Sequence, residues 1–113
     1  MTDQSTRELA RLRSALGALQ AINANMSVQS AISFLFLAQF EGHSLREYSE
    51  MLDVPQSTMS RHLLDLGPRL RDMSPGYGLI EQSIGVDDMR KRAYKLTAKG
   101  RALALTLIDL MEK

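Results

Sequence analysis

Apolar residues recur at helical spacing along the first part of the chain. Between about Ser5 and Ala24, leucines return every three or four positions, which is the period of one face of an α-helix. The members of this stripe are Leu9, Leu12, Leu16 and Leu19. The segment lies far in sequence from the motifs described below, so we expect its apolar stripe to need another partner.

The next segment is apolar on most sides. Ser27 is suited to cap a helix, and residues 28–41 contain a cluster of three phenylalanines that we interpret as core. A helix of this composition is normally central and buried. The glycine at position 42 indicates that this helix ends there. The phenylalanines are Phe34, Phe36 and Phe40.

Residues 44–66 carry the pattern of a helix-turn-helix. Ser44, followed three positions later by Glu47, is the signature of a capping box at the start of the first helix. Asp53 falls where the chain must turn sharply, and Pro55 opens the second helix from a first-turn position. The apolar side chains at the spacing needed to lock the two helices together are Leu45, Leu52, Val54, Met59 and Leu63.

A segment rich in glycine and proline, residues 67–78, follows the helix-turn-helix. We expect an ordered loop there, with one short helical turn around Leu70. Residues 79–96 predict a two-stranded hairpin, and Thr97 is suited to cap a last helix within residues 98–113. The apolar side of that helix holds Leu103, Leu107 and Leu110.

These elements predict one domain over residues 1–113, in the order helix, helix, helix, turn, helix, hairpin, helix. A helix-turn-helix followed directly by a hairpin is the winged-helix arrangement. The predicted fold is therefore mainly α with a small β-hairpin wing.

The amino-acid composition argues against several kinds of catalytic and metal site. The chain has no cysteine and only two histidines, which argues against disulfides, thiolate catalysis and a Cys- or His-rich zinc site. It also has no phosphate loop and no paired carboxylates with a matching base. We therefore expect no metal, no cofactor and no enzymatic activity. Because no apolar run has the length of a membrane span and no signal peptide is visible, we expect a cytoplasmic protein without membrane contact.

The formal net charge is only +1, but the charge is unevenly distributed. Residues 85–101 hold six basic and two acidic side chains, whereas residues 1–50 hold four basic and five acidic ones. The positive charge thus lies around the hairpin, and its distribution says more about nucleic-acid binding than the total does.

The second helix of the helix-turn-helix has a polar face opposite its apolar one. Short hydroxyl side chains let a helix approach the major groove closely, and Gln and Arg pair with the edges of adenine and guanine. The side chains of this type are Gln56, Ser57, Thr58, Ser60 and Arg61. The hairpin tip adds cations suited to the DNA backbone or the minor groove, namely Arg90, Lys91 and Arg92. The sequence therefore predicts binding to double-stranded DNA.

The two histidines and the arginines near the N-terminus can be explained without a role in DNA binding. His62 is interpreted as a packing or flanking residue and His43 as an exposed loop residue. We expect the cations near the N-terminus to be solvated; these are Arg7, Arg11 and Arg13.

In three stretches the sequence resembles the MarR family of winged-helix transcriptional regulators. Residues 36–40 with 44–47 look like the helix that leads into that family's helix-turn-helix, and residues 54–61 look like the start of its recognition helix. Asp88-Met89-Arg90, followed by Leu96-Thr97-Ala98-Lys99-Gly100, resembles its wing motif, Asp-x-Arg and then Leu-Thr-x-x-Gly. Together these stretches cover residues 28–103.

The resemblance implies an obligate homodimer that pairs through its first and last helices, here residues 1–26 and 98–113. It implies a regulator, most simply a repressor, with Ser57, Ser60 and Arg61 at the major groove and Arg90 at the minor groove. The implied dimer interface consists of Leu9, Leu12, Leu16, Leu19, Leu103, Leu107 and Leu110. Whether a small-molecule effector binds is left open by the resemblance. Two recognition helices in successive major grooves predict a pseudo-palindromic operator with half-sites about 10 bp apart.

Two features depart from the family pattern. Members usually pass from the recognition helix to a Gly-Leu-Val at the first wing strand within a few residues. Here Gly78-Leu79-Ile80 takes that place after a longer loop, residues 67–77, and the terminal helices are short.

A second hypothesis belongs to a different class of function. The winged helix would be a protein-interaction module, a subunit or inhibitor of another complex, that does not contact DNA. The near-neutral net charge keeps this hypothesis open. Salt dependence separates the two, because a DNA binder loses affinity steeply as salt rises.

Overall fold

The computed structural model describes residues 1–70, 72–84 and 92–112. Within them the chain forms four helices, a hairpin and a fifth helix, in the predicted order. The helices are α1 (Asp3–Ile22), α2 (Val28–Gln39), α3 (Leu45–Leu52), α4 (Gln56–Leu66) and α5 (Ala98–Glu112). The strands are β1 (Ile80–Ile84) and β2 (Arg92–Leu96). None of the described helices is both long enough and apolar enough to cross a bilayer.

Side-chain caps set where the helices begin. The Ser27 hydroxyl accepts a hydrogen bond from the Ser30 N–H at 3.0 Å, which starts α2. The Ser44 hydroxyl accepts from the Glu47 N–H at 3.2 Å, and the Glu47 carboxylate accepts from the Ser44 N–H at 3.1 Å. The predicted capping box of α3 is therefore confirmed.

The turn between α3 and α4 is tight. Asp53 adopts the left-handed conformation, with φ 54°, and the Val54 N–H donates to the Ser49 carbonyl at 3.0 Å. Ser49 is buried. Pro55 is the cap residue of α4, one position before the first-turn site that the sequence predicted, and its extended backbone leads directly into the helix.

The wing is an antiparallel pair in which Ile80 lies opposite Leu96. A short third segment joins it: the Gly42 N–H donates to the Tyr94 carbonyl at 2.9 Å, and the Tyr94 N–H donates to the His43 carbonyl at 3.0 Å. The prediction of His43 as an exposed loop residue is wrong, because this half-buried residue ties the α2–α3 corner to β2.

The core lies where α2 meets α4, α3 and the wing. Its fully buried members include Phe34, Leu37, Tyr48, Met59, Leu66, Leu79 and Ile80. The prediction that α2 is buried on most sides holds for one face only. Phe40 is 43% exposed although it packs on Phe36, with ring centroids 5.0 Å apart, and so lies at the edge of the core. Within α2 itself, the exposed large apolar residues are Val28, Ile32 and Leu35.

Helices α1 and α5 pack against each other within one chain. Leu19, Leu103 and Leu107 are buried in the core cluster, together with Ala15. These three leucines are covered within their own chain, and their part in the dimer interface that the resemblance implies stays a prediction. The others of the α1 stripe are about half exposed, namely Leu9, Leu12 and Leu16.

Residues 67–70 and 74–78 form the two arms of a small hairpin, so the predicted ordered loop is present, and the Leu70 carbonyl accepts from the Met73 N–H at 3.0 Å. The helical turn predicted around Leu70 falls partly on residue 71, which lies outside the described residues. The Leu70 N–H donates to the Ser74 carbonyl at 2.8 Å, and the Gly76 N–H donates to the Pro68 carbonyl at 3.0 Å. The two arms approach so closely that a Cβ on Gly76 would lie 2.3 Å from the backbone oxygen of Gly67. Backbone pairing of the two arms therefore orders this loop.

The start of α5 is fixed against the entry to the wing. The Thr97 hydroxyl donates to the Gly78 carbonyl at 2.6 Å and accepts from the Gly100 N–H at 3.0 Å, as its predicted capping role requires. A Cβ on Gly100 would lie 1.9 Å from the carbonyl oxygen of Leu79. This contact gives a physical reason for the glycine that ends the Leu-Thr-x-x-Gly pattern.

Candidate nucleic-acid interface

Helix α4 has one buried face and one polar, exposed face. Met59, Leu63 and Leu66 are buried against the core, as the sequence predicted. On the other side, Ser57 and Ser60 are exposed. The remaining predicted contact residues of this helix are Gln56 and Arg61, which are exposed, and Thr58, which is half-buried.

The polar face has unused hydrogen-bonding capacity. Within the described part of the chain, the side chains of Ser57, Ser60 and Arg61 form no hydrogen bond or ion pair. Asp65 lies one turn beyond Arg61 on the same helix without pairing with it. The first two turns of α4 thus present hydroxyl donors and a guanidinium to an external ligand.

A buried polar contact fixes α4 on α2. Nδ1 of His62 lies 3.0 Å from the hydroxyl of Ser33, and both side chains are buried. His62 is therefore a packing residue, which was the preferred interpretation of the sequence. Because it anchors the inner side of α4, it also fixes which residues face outward.

Of the three wing residues that the sequence predicted to contact DNA, the structure describes one. Arg92 is exposed at the start of β2, opposite Ile84. Arg90 and Lys91 lie outside the described residues. Lys95 lies 3.6 Å from the Glu81 carboxylate, so its charge is partly offset within the sheet.

The carboxylate of Glu41 holds the root of the wing in place, a role that the sequence analysis missed. It accepts from the Leu96 N–H at 2.8 Å and from the Arg101 guanidinium at 3.2 Å. It therefore joins the end of α2 to both β2 and α5. No local pattern marks such a residue, because its partners lie more than 50 positions away in sequence.

Side-chain hydrogen bonds also fix the corner between α2 and α3. The Tyr48 hydroxyl donates to the Phe40 carbonyl at 2.5 Å, and burial raises the pKa of Tyr48 to about 12. The Glu47 carboxylate lies 3.1 Å from Nδ1 of His43. This hydrogen bond, with those from Ser44, lowers the pKa of Glu47 to about 2. The corner thus holds α3, which in turn supports α4.

The His62 contact predicts a pH-dependent stability. Burial lowers the pKa of His62, and the nearby Arg61 adds to this, whereas Asp65 opposes it. The unfolded chain takes up a proton near pH 6.5, before the folded chain does. We therefore expect the free energy of unfolding to fall as the pH drops from 7.5 to 5, measured by urea denaturation.

His62→Gln should flatten this part of the pH profile. Ser33→Ala is the matched control: it removes the hydrogen bond but leaves His62 buried, so it should lower stability while keeping the pH dependence. If His62→Gln left the pH profile unchanged, the pH dependence of stability would not come from His62.

The fold can be compared with known proteins. No protein-family model and no curated protein matches this sequence. Solved structures do match it. FabT of Streptococcus pneumoniae, crystallised with DNA, superposes with a TM-score of 0.59 at 20% identity over 78% of this chain. A MarR-like transcriptional regulator of Thermotoga maritima gives a TM-score of 0.65 at 16% identity over 99% of this chain.

The fold is that of MarR-type winged-helix proteins. A further match with this fold is the transcriptional repressor CouR bound to a 23-mer DNA duplex, with a TM-score of 0.62 at 19% identity over 97% of this chain. The chain spans 56% of the FabT chain, 77% of the Thermotoga maritima chain and 70% of the CouR chain. The resemblance of the sequence to the MarR family is thus confirmed at the level of the fold.

Proposed function

We propose that this protein is a sequence-specific regulator of transcription, a repressor, that binds double-stranded DNA as a homodimer in the cytoplasm. The observation that carries this proposal is the outward face of α4. Its polar side chains have no partners within the described residues, while its opposite face is anchored in the core. A helix held in this way can enter a major groove without rearranging the domain.

The residues on that face have the chemistry of base readout. Arg61 can bind a guanine edge through two hydrogen bonds, and Gln56 can bind an adenine edge in the same way. Ser57 and Ser60 are short enough to allow close approach of the helix. Backbone N–H groups at the start of α4 add donors for a phosphate. We propose Arg92, Arg90 and Lys91 as contacts from the wing.

The end helices support the proposed dimer. Large apolar side chains on the outer sides of α1 and α5 are between 48% and 61% exposed, although each helix is well packed on its inner side. They are Leu9, Leu12 and Leu16 of α1, and Leu105, Ile108 and Met111 of α5. A second copy of the chain would cover them, and exposed apolar patches of this kind mark protein–protein contacts. Leu110, which is partly buried, stays in the proposed interface.

Structures with the same fold support the DNA-binding part of the proposal. The structures of FabT, AbfR and CouR each contain bound DNA, and CouR is described as a transcriptional repressor. A homodimer would place two α4 helices in successive major grooves, on half-sites whose centres are about 10 bp apart.

Selection of bound duplexes from a random DNA pool tests this function directly. The full chain should be sized first, and we expect a dimer. The selected sequences should share an inverted repeat with half-sites about 10 bp apart. Affinity for the best sequence should fall linearly on a plot of log K against log salt concentration, because DNA binding releases counterions.

The result that contradicts the proposal is equally clear. A dimer that retains no duplex even at low salt would favour the protein-interaction hypothesis. Retention of all sequences alike would leave DNA binding but remove sequence specificity.

A further inference from the structure

An open groove separates α4 from the wing. Its volume is about 540 Å³, and its walls come from α4, from the 67–78 hairpin and from both strands of the wing. Leu63 and Ile80, which are both buried, form its floor. The polar residues along the groove are Ser60, Arg69, Glu81, Gln82 and Tyr94.

This groove continues the proposed DNA-reading face. Ser60 belongs to both surfaces, and Leu64, one turn later on α4, is exposed and also lines the groove. Positions four apart lie on the same side of a helix. The polar face that begins at Ser57 therefore runs into the groove without interruption.

Arg69 gives the groove a positive charge. Its side chain is exposed, and it forms no ion pair or hydrogen bond with any side chain in the described ranges. The acid that shares the groove is Glu81, which already lies 3.6 Å from the Lys95 ammonium. The charge of Arg69 is thus available to an anion.

The hairpin of residues 67–78 holds the backbone of Arg69 in position. Arg69 forms an antiparallel bridge with Pro75, and it lies between hydrogen bonds at Pro68 and Leu70. The hairpin is itself fixed to the wing entry, where the Leu79 N–H donates to the Leu66 carbonyl at 2.8 Å. A guanidinium on such a frame can meet a ligand at a defined place.

We propose that this groove receives the sugar–phosphate strand between the major groove read by α4 and the minor groove beside the wing, and that Arg69 binds one of its phosphates. The inference rests on the proposed function. A major and an adjacent minor groove are separated by one backbone strand, so the surface between α4 and the wing must face that strand. Arg69 then adds a sequence-independent contact to those made by α4.

Salt titration of the full chain tests the proposal. Arg69→Ala should weaken binding to the selected duplex and to a scrambled duplex by the same factor. It should also reduce the slope of log K against log salt concentration by about 0.9 per protomer. Arg69→Lys, which keeps the charge, should restore the slope. Arg7→Ala removes an exposed cation on α1 and should leave the slope unchanged.

Circular dichroism and sizing of each variant separate this outcome from misfolding, since a purely structural role of Arg69 would not change the salt slope. An unchanged slope in a folded Arg69→Ala dimer overturns the inference, while DNA binding by the wild-type chain keeps the proposed function. If the wild-type chain binds no duplex, the inference and the proposed function fail together.

Discussion

Replacing Gly100 with alanine is expected to lower the free energy of unfolding by about 3 kcal/mol, the upper part of the range for overpacking. The added Cβ would lie 1.9 Å from the Leu79 carbonyl oxygen and 2.9 Å from the carbonyl carbon. These are backbone atoms, so no side-chain rotation relieves the clash. Either α5 moves away from the wing entry or the Thr97 cap breaks. Urea denaturation followed by circular dichroism measures the loss.

Gly17→Ala is the matched control for this experiment. Gly17 lies in the interior of α1, and a Cβ there would meet nothing within 4 Å. Since alanine favours a helix over glycine, this variant should be more stable than the wild-type chain by about 0.5–1 kcal/mol. Equal stabilities of the two variants would show that the close approach of Gly100 to Leu79 does not constrain the fold.

The second large effect is expected at Arg61. Arg61→Ala should cost about 1–3 kcal/mol of discrimination at one base position in each half-site, because the proposed bidentate contact to a guanine edge would be lost. The affinity for the selected operator should then approach that for a scrambled duplex. Competition binding with the two duplexes measures the ratio. The stability of the fold should hardly change, since Arg61 is exposed.

Two controls accompany that measurement. Arg61→Lys keeps the charge but loses the planar fork, so it should retain non-specific affinity and lose specificity. Arg7→Ala should leave the ratio of affinities intact. If Arg61→Ala preserves the wild-type preference for the operator, then another part of the protein reads the bases.

The helix-turn-helix could be predicted from sequence because its signals are local. Ser44 and Glu47 form the capping box within four residues, and Asp53 takes the left-handed conformation at the turn. The apolar spacing of α4 also identified its buried side correctly. The outward face follows from that side, so the candidate contacts of α4 were within reach of sequence reasoning.

Features that depend on distant partners could not be predicted in this way. Helical periodicity shows that Leu19 and Leu16 are both apolar positions of α1, but not that the folded chain buries only the first of them. Residues 42–43 are too few to show a strand pattern. The 67–78 hairpin depends on the close approach of Gly76 to Gly67, which no local rule reveals.

The carboxylate of Glu41 has a consequence for how the proposed dimer measures DNA. One side chain holds β2 and α5 together, and the Thr97 cap and the packing of Gly100 reinforce the same joint. The end of β2 is therefore joined to the start of α5. In the proposed dimer, with α5 at the contact between subunits, the two wings would be held at a fixed separation. The angle at which the two α5 helices cross in that dimer would then set the distance between the wings, and with it the operator spacing that fits.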